Sequence, residues 1–291
     1  MKRRALMMAV ATTVLWSFSY ILNKLAFEDG IGPMTLSGLR YLFAALLLMC
    51  LRRRNKRPAG APVSPFLIAL LGVLGYAVAQ GMQYVGQSFL TPTQSSLFLS
   101  AGNTLMVMLA DGLWLRENQT KGDLVKLLLL IAGIALYYYP WGADILSPAG
   151  LGFMALSSVG YALHMTLNRH LLTARGAGAR ALVAGPMLTG ALILTAAGLI
   201  VEGIPPVTGR LMLILAYLGF VSGALGFSLW TRSQAHLTAF ELSGVNNLML
   251  IEIALMDFFA FHRRFSALQI LAIFIVFGSI VAIQARKAAK K

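Results

Sequence analysis

Ten apolar runs of about twenty residues follow one another along this chain, at 5–27, 33–51, 65–88, 93–115, 121–139, 149–171, 181–201, 210–233, 240–260 and 266–285. The hydrocarbon core of a bilayer, roughly 30 Å thick, is crossed by about 20 residues of α-helix, so each run has the length of one span. The runs lack the alternation of barrel strands, and a segment in lipid must satisfy its own backbone groups, which leaves the helix as the fitting conformation. Of the 291 residues, 58% are apolar and 12% charged, so ten spans leave only short connections and no room for a soluble domain. The expected fold is all-α and integral to the membrane, with ten transmembrane helices.

A net charge of +14 would suit a nucleic-acid partner only if the basic residues formed one face of a soluble module. They lie instead in short clusters between the apolar runs. With the N-terminus inside, 19 of the 24 basic residues fall on the cytoplasmic side, from Lys2, Arg3 and Arg4 to Lys290 and Lys291. Arg210, Arg263 and Arg264 fall outside, and Lys24 and Arg40 lie within spans. This asymmetry predicts a multi-pass protein of a bacterial inner membrane with both termini cytoplasmic. The opening Met-Lys-Arg-Arg resembles a signal peptide, but the apolar run behind it has no small-residue cleavage site and reads as an uncleaved first span. The single cysteine, Cys50, excludes a disulfide framework and a Cys-rich metal site.

The chain repeats itself. Leu22-Asn23-Lys24 falls on Leu167-Asn168-Arg169 at an offset of 145, which sets Trp16 against Tyr161. An offset of 147 places Gly72 on Gly219, Gln87 on Gln234, Leu90 on Leu237 and Thr91 on Thr238. Two repeats, 1–140 and 148–291, follow. Five helices per repeat is an odd number, so the second repeat enters the membrane upside down, around a central cavity near the midplane.

Polar residues within the spans mark the candidate lining. Tyr76, Gln80, Gln83, Tyr84 and Gln87 share an arc of span three at about 100° per residue. Gly223, Phe227, Trp230, Thr231 and Gln234 form the matching stripe of span eight. Trp16, Tyr20 and Asn23 line span one, and Tyr161, His164, Met165 and Asn168 line span six. Interhelical hydrogen bonding is the competing reading for each of them. Trp114 and Trp141, at span ends, read as interfacial anchors, as do Asp111 and Asp257. Glu252 lies too deep in span nine to reach either surface, and either couples a proton, binds substrate or bridges two helices. Glu241 shares its face. Lys24 and Arg40 draw in an anionic group, or snorkel and pair with Glu28 and Asp29.

Trp16-Ser17 followed by Lys24, Pro33 with Arg40 seven residues on, and Glu117 with Gly122 and Gly133 resemble the EamA family of the drug/metabolite transporter superfamily. The resemblance implies inverted five-helix repeats around a cavity and export of amino acids, other metabolites or drugs, with exporters of the YddG kind as the nearest subtype. The expected partners are a small-molecule substrate and the bilayer, with no cofactor, metal or nucleic acid, and a monomer rather than a dimer. The candidate site residues are Trp16, Tyr20, Asn23, Tyr76, Gln80, Gln83, Tyr84, Tyr161, His164, Asn168, Trp230 and Glu252. An intramembrane enzyme is the alternative from another class, but no Gly-x-Ser-x-Gly, His-Glu-x-x-His or paired-aspartate motif occurs, and His164, His170, His236 and His262 are scattered. A channel would need a ring of carbonyls or charges, which no repeated element supplies.

Overall fold

The computed structural model describes residues 2–53, 62–114, 121–139, 147–174, 181–234, 237 and 239–289. Among these residues the backbone forms ten helical rods and no strand. They are α1 (Lys2–Glu28), α2 (Pro33–Arg53), α3 (Pro65–Phe89), α4 (Pro92–Trp114), α5 (Lys121–Tyr137), α6 (Pro148–Ala174), α7 (Ala181–Val201), α8 (209–234), α9 (Ala239–Phe261) and α10 (Ala267–Ala289). Six of them, α1–α3 and α6–α8, hold segments long and apolar enough to cross a membrane. Shorter apolar stretches occur in α5, at Val125–Tyr137, and in α10, at Ala267–Ala282.

Local chemistry sets the rod boundaries. Proline opens α2, α3, α4 and α6, at the first-turn position where its missing N–H costs nothing. Ser64 and Thr208 cap α3 and α8, their hydroxyls accepting from the Leu67 and Leu211 amides at 3.3 and 3.1 Å. Large apolar side chains such as Phe66, Ile200, Leu213 and Phe259 stand exposed on the outside, as lipid solvation requires, while Ser, Thr and Gly collect at the contacts between rods.

Most of the rod packings follow a simple exchange rule. α1 packs on α8 and α9, and α6 on α3 and α4. α2 packs on α7 and α8, and α7 on α2 and α3, while α5 pairs with α10 and α4 with α9. Exchanging each rod for the one five places away leaves this list unchanged, so the two halves interlock about a pseudo-twofold relation. The π-helical segments obey it too: Val73–Gly81 lies within α3 and Tyr217–Leu225 within α8, both directly after the first eight-residue helical segment. Caps and π segments share an offset of 144, three less than the match of Gly72 to Gly219 suggests. Isolated glycines and glutamines fix a register poorly; cap geometry and helix pitch fix it well.

Candidate functional site

A π segment leaves carbonyls without their usual i+4 donors, and such segments often sit at functional sites. Here three carbonyls in and beside the two segments are taken up by side chains from the opposite half. His164 Nδ1 lies 3.1 Å from the Leu71 carbonyl, and the Ser157 hydroxyl donates to the Ala79 carbonyl at 2.6 Å. In the other half, the Trp16 indole donates to the Ser222 carbonyl at 3.0 Å. α6 thereby grips α3, and α1 grips α8.

Around these grips the candidate residues fall into connected groups. Gln83 donates to the Tyr20 hydroxyl at 3.0 Å, and Asn23 donates to Gln87 at 2.7 Å, tying α1 to α3. The Tyr41 hydroxyl donates to Gln80 at 2.6 Å, its ring meets Tyr76 edge-on at 5.3 Å, and Tyr76 meets His164 at 6.1 Å. Trp16 packs against Phe227 and Trp230 at 5.4 and 5.3 Å, an aromatic wall between α1 and α8. The stripe of span three is thus hydrogen-bonded to α1 and α2. Tyr161 is half-buried on α6, and Asn168, further along the same rod, has a buried side-chain oxygen without a partner.

Glu252 is half-buried, and its carboxylate accepts from Ser17 at 2.7 Å and Thr13 at 3.0 Å, joining α9 to α1. Glu117, Trp141 and His236, with the side chains of Asp111, Trp114, Thr231, Gln234 and Glu241, lie outside the described residues.

Arg40 joins the groups, and it is the residue that the stripe reading missed. Its side chain is buried, with one terminal nitrogen on the Tyr84 hydroxyl and the other 2.9 Å from the Ser222 hydroxyl. The guanidinium carbon lies 5.2 and 5.8 Å from the Tyr41 and Tyr84 ring centres. Ser222 in turn meets the Ser19 hydroxyl at 2.7 Å. The expected pairing of Arg40 with Glu28 or Asp29 does not form: Asp29 binds Arg210 at 3.1 Å, because α2 turns Arg40 inward, away from the 29–32 turn. The signal available in the sequence was a lone arginine seven residues into an apolar run.

Two carboxylates cap helices of neighbouring rods. Glu202, at the end of α7, accepts from the Met34 and Thr35 amides at 2.8 Å each and from the Thr35 hydroxyl at 2.7 Å, capping α2. Asp257, near the end of α9, accepts from the Thr93 hydroxyl at 2.6 Å and its amide at 3.2 Å, capping α4, and lies 3.5 Å from Arg263. Each carboxylate meets the positive end of a helix dipole. Asp257 is fully buried, so it is a helix cap and not the interfacial residue that its place near a span end suggested. Lys24 reaches the Ser88 carbonyl at 3.4 Å and shares a small recess with Tyr20, Gln87, Leu90, Pro92 and Ser95.

A model of the EamA-like transporter family matches residues 3–139 and again 148–284. The chain belongs to this family. Membership makes it a membrane transporter of the drug/metabolite transporter superfamily with the family's two-repeat architecture, and the family comprises transporters, not enzymes. A crystal structure with 16% sequence identity superposes with a TM-score of 0.69, over 98% of this chain and 97% of the other, which shows a common fold. A search among curated proteins found no match.

Proposed function

We propose that the protein exports small amphipathic metabolites by alternating access, with amino acids, the aromatic ones included, as the first class and nucleobase-like or drug-like solutes as the second. In this reading all ten rods cross a bacterial inner membrane, 1–140 and 148–291 are inverted repeats, and the solute moves through a central cavity between them. The observation that supports the substrate class is that α1 carries both the Trp16 side of an aromatic wall with Phe227 and Trp230 and, within two turns, the neutral hydrogen-bonding groups of Tyr20 and Asn23, which meet Gln83 and Gln87. Aromatic faces take an apolar or planar body, and amides take its polar end. A polyphosphate or nucleotide sugar needs several converging cations, and Arg40 stands among hydroxyls.

Counterflow in proteoliposomes tests this. Trp230→Ala and Gln83→Ala are each expected to slow exchange of phenylalanine and leucine about tenfold while the protein stays folded and monodisperse, since each removes about 1–2 kcal/mol of contact. Saturable exchange of nucleotide sugars with no response to amino acids would overturn the substrate class.

Orientation is tested through Cys50, which is exposed near the end of α2. A membrane-impermeant maleimide is expected to label it in inverted vesicles and to leave it unlabelled in intact cells. Labelling in intact cells with none in inverted vesicles would reverse the assignment of the termini.

A further inference from the structure

Among the described residues the buried Arg40 has hydroxyls and aromatic rings for neighbours and no anion. The side chains described include five carboxylates. Asp29 is on Arg210, Glu202 on the α2 amides, Asp257 on Thr93 and Arg263, Glu252 on Thr13 and Ser17, and Glu28 is exposed. Glu252 approaches α1 from a different side: Ser17, which holds it, and Ser19, which reaches Ser222, point about 160° apart around the helix. No described carboxylate lies within ion-pair distance of Arg40. A buried charge in a spanning segment is costly unless it is paired, and truncating or isolating one member of a pair costs more than hydroxyl partners return.

The guanidinium is also incompletely used. Tyr84 takes one terminal nitrogen and Ser222 the other, while Nε is buried with no partner. Nε–H and the adjacent terminal N–H form the edge that receives a carboxylate through two parallel hydrogen bonds. The rings of Tyr41 and Tyr84 face that buried charge, so an anion arriving there meets one fixed cation in a poorly hydrated setting.

We propose that Arg40 is the recognition point for a carboxylate on the transported solute, with Tyr84 and Ser222 holding the guanidinium ready between transport cycles. The inference rests on the transporter reading above and narrows it: the favoured solutes carry one free carboxylate, and their amides are excluded. A bound carboxylate supplies the counter-charge that the fold omits, and its departure returns Arg40 to the two hydroxyls.

Binding and exchange are measured separately on the purified full-length protein. The probes are acetate, propionate, 3-phenylpropionate and phenylalanine, each against its amide, and binding is read as a saturable rise in thermal midpoint in detergent. The wild type is expected to bind at least one acid of the series at least about tenfold more tightly than the matching amide, the effect of one charge-assisted contact. Arg40→Gln is expected to erase that preference, and Arg40→Lys, which keeps the charge but loses the fork, to retain part of it.

Equal affinity for acid and amide in the wild type, or no effect of any acid, overturns the site without need of a variant. An undiminished acid preference in folded Arg40→Gln overturns it as well. Counterflow is run on the same preparations. Exchange of amino acids and amides without distinction sinks the anion site and leaves the proposed export standing, whereas carboxylate binding without exchange of any probe supports the site and sinks the proposed export of these solutes.

Discussion

Gly190→Val is expected to leave little folded protein in detergent. α3 and α7 cross with backbone against backbone. A Cβ on Gly190 would stand 2.6 Å from the Gly72 carbonyl oxygen, and one on Gly72 would stand 2.7 Å from the Pro186 carbonyl oxygen. Neither obstacle is the end of a flexible side chain, so the rods must separate to admit even a methyl group. Separation also pulls Tyr76 away from its edge contact with Tyr41, since Tyr76 Cβ is a further obstacle at Gly190. Overpacking of this kind costs about 3 kcal/mol, a large part of a marginal stability. Without a water-driven hydrophobic force between helices in lipid, close packing carries more of the burden. The checks are the monodisperse fraction on size exclusion and the thermal midpoint of the purified protein. Gly152→Ala and Gly278→Ala serve as controls, because nothing lies within 4 Å of a Cβ built at either position. They are expected to match the wild type within about 1 kcal/mol, the scale of helix propensity. A Gly190→Val variant that melts with the wild type would mean that α3 and α7 do not approach this closely.

The same glycines show what the sequence made readable. The rod positions were legible, because each apolar run ends in proline, a capping hydroxyl or a cluster of charge, and the expected runs fall on the observed rods to within a few residues. The existence of two related halves was legible as well, although the register of α3 on α8 was not. A helical wheel assumes one pitch, and the π segments at Val73–Gly81 and Tyr217–Leu225 change that pitch inside the two stripes it was applied to. The glutamines of span three do meet polar partners, but those partners were invisible. Gln83 meets Tyr20, and Arg40 meets Ser222, through contacts spanning 63 and 182 residues of chain, which no local pattern encodes. Depth alone misled at Asp257, where a site near a span end turned out to be fully buried because the Thr93 amide and hydroxyl needed an acceptor. Arg40 was legible as an oddity and not as the centre of the network, since only the assembled bundle shows its contacts with Tyr84 and Ser222 and that no described carboxylate pairs with it.

Glu252→Gln is expected to yield folded protein whose transport no longer depends on pH. The carboxylate stands at mid-length of α9, and its two oxygens accept from the hydroxyls of Ser17 and Thr13 on α1. Two hydroxyls can rotate, so a glutamine amide satisfies the same pair by accepting from one and donating to the other. The interhelical tie therefore survives, with a loss of about 1 kcal/mol or less. Glu252→Ala, by contrast, removes both acceptors and is expected to lower the thermal midpoint by the equivalent of about 1–3 kcal/mol, the scale of a buried polar contact left unmade. What glutamine cannot do is take up and release a proton. If loading of a proton at this position accompanies each transport cycle, the neutral amide fixes the loaded form. The cycle then runs at one rate across the pH range, driven by the solute gradient alone. The measurement is counterflow and gradient-driven flux in proteoliposomes between pH 5 and 8, with the imposed proton gradient as the second variable. Coupling at Glu252 requires that gradient-driven flux disappear while counterflow persists, because counterflow needs only solute exchange. A variant that keeps both the pH profile and the response to the proton gradient would show that Glu252 serves to bind α9 to α1 and that coupling, if present, lies on another group.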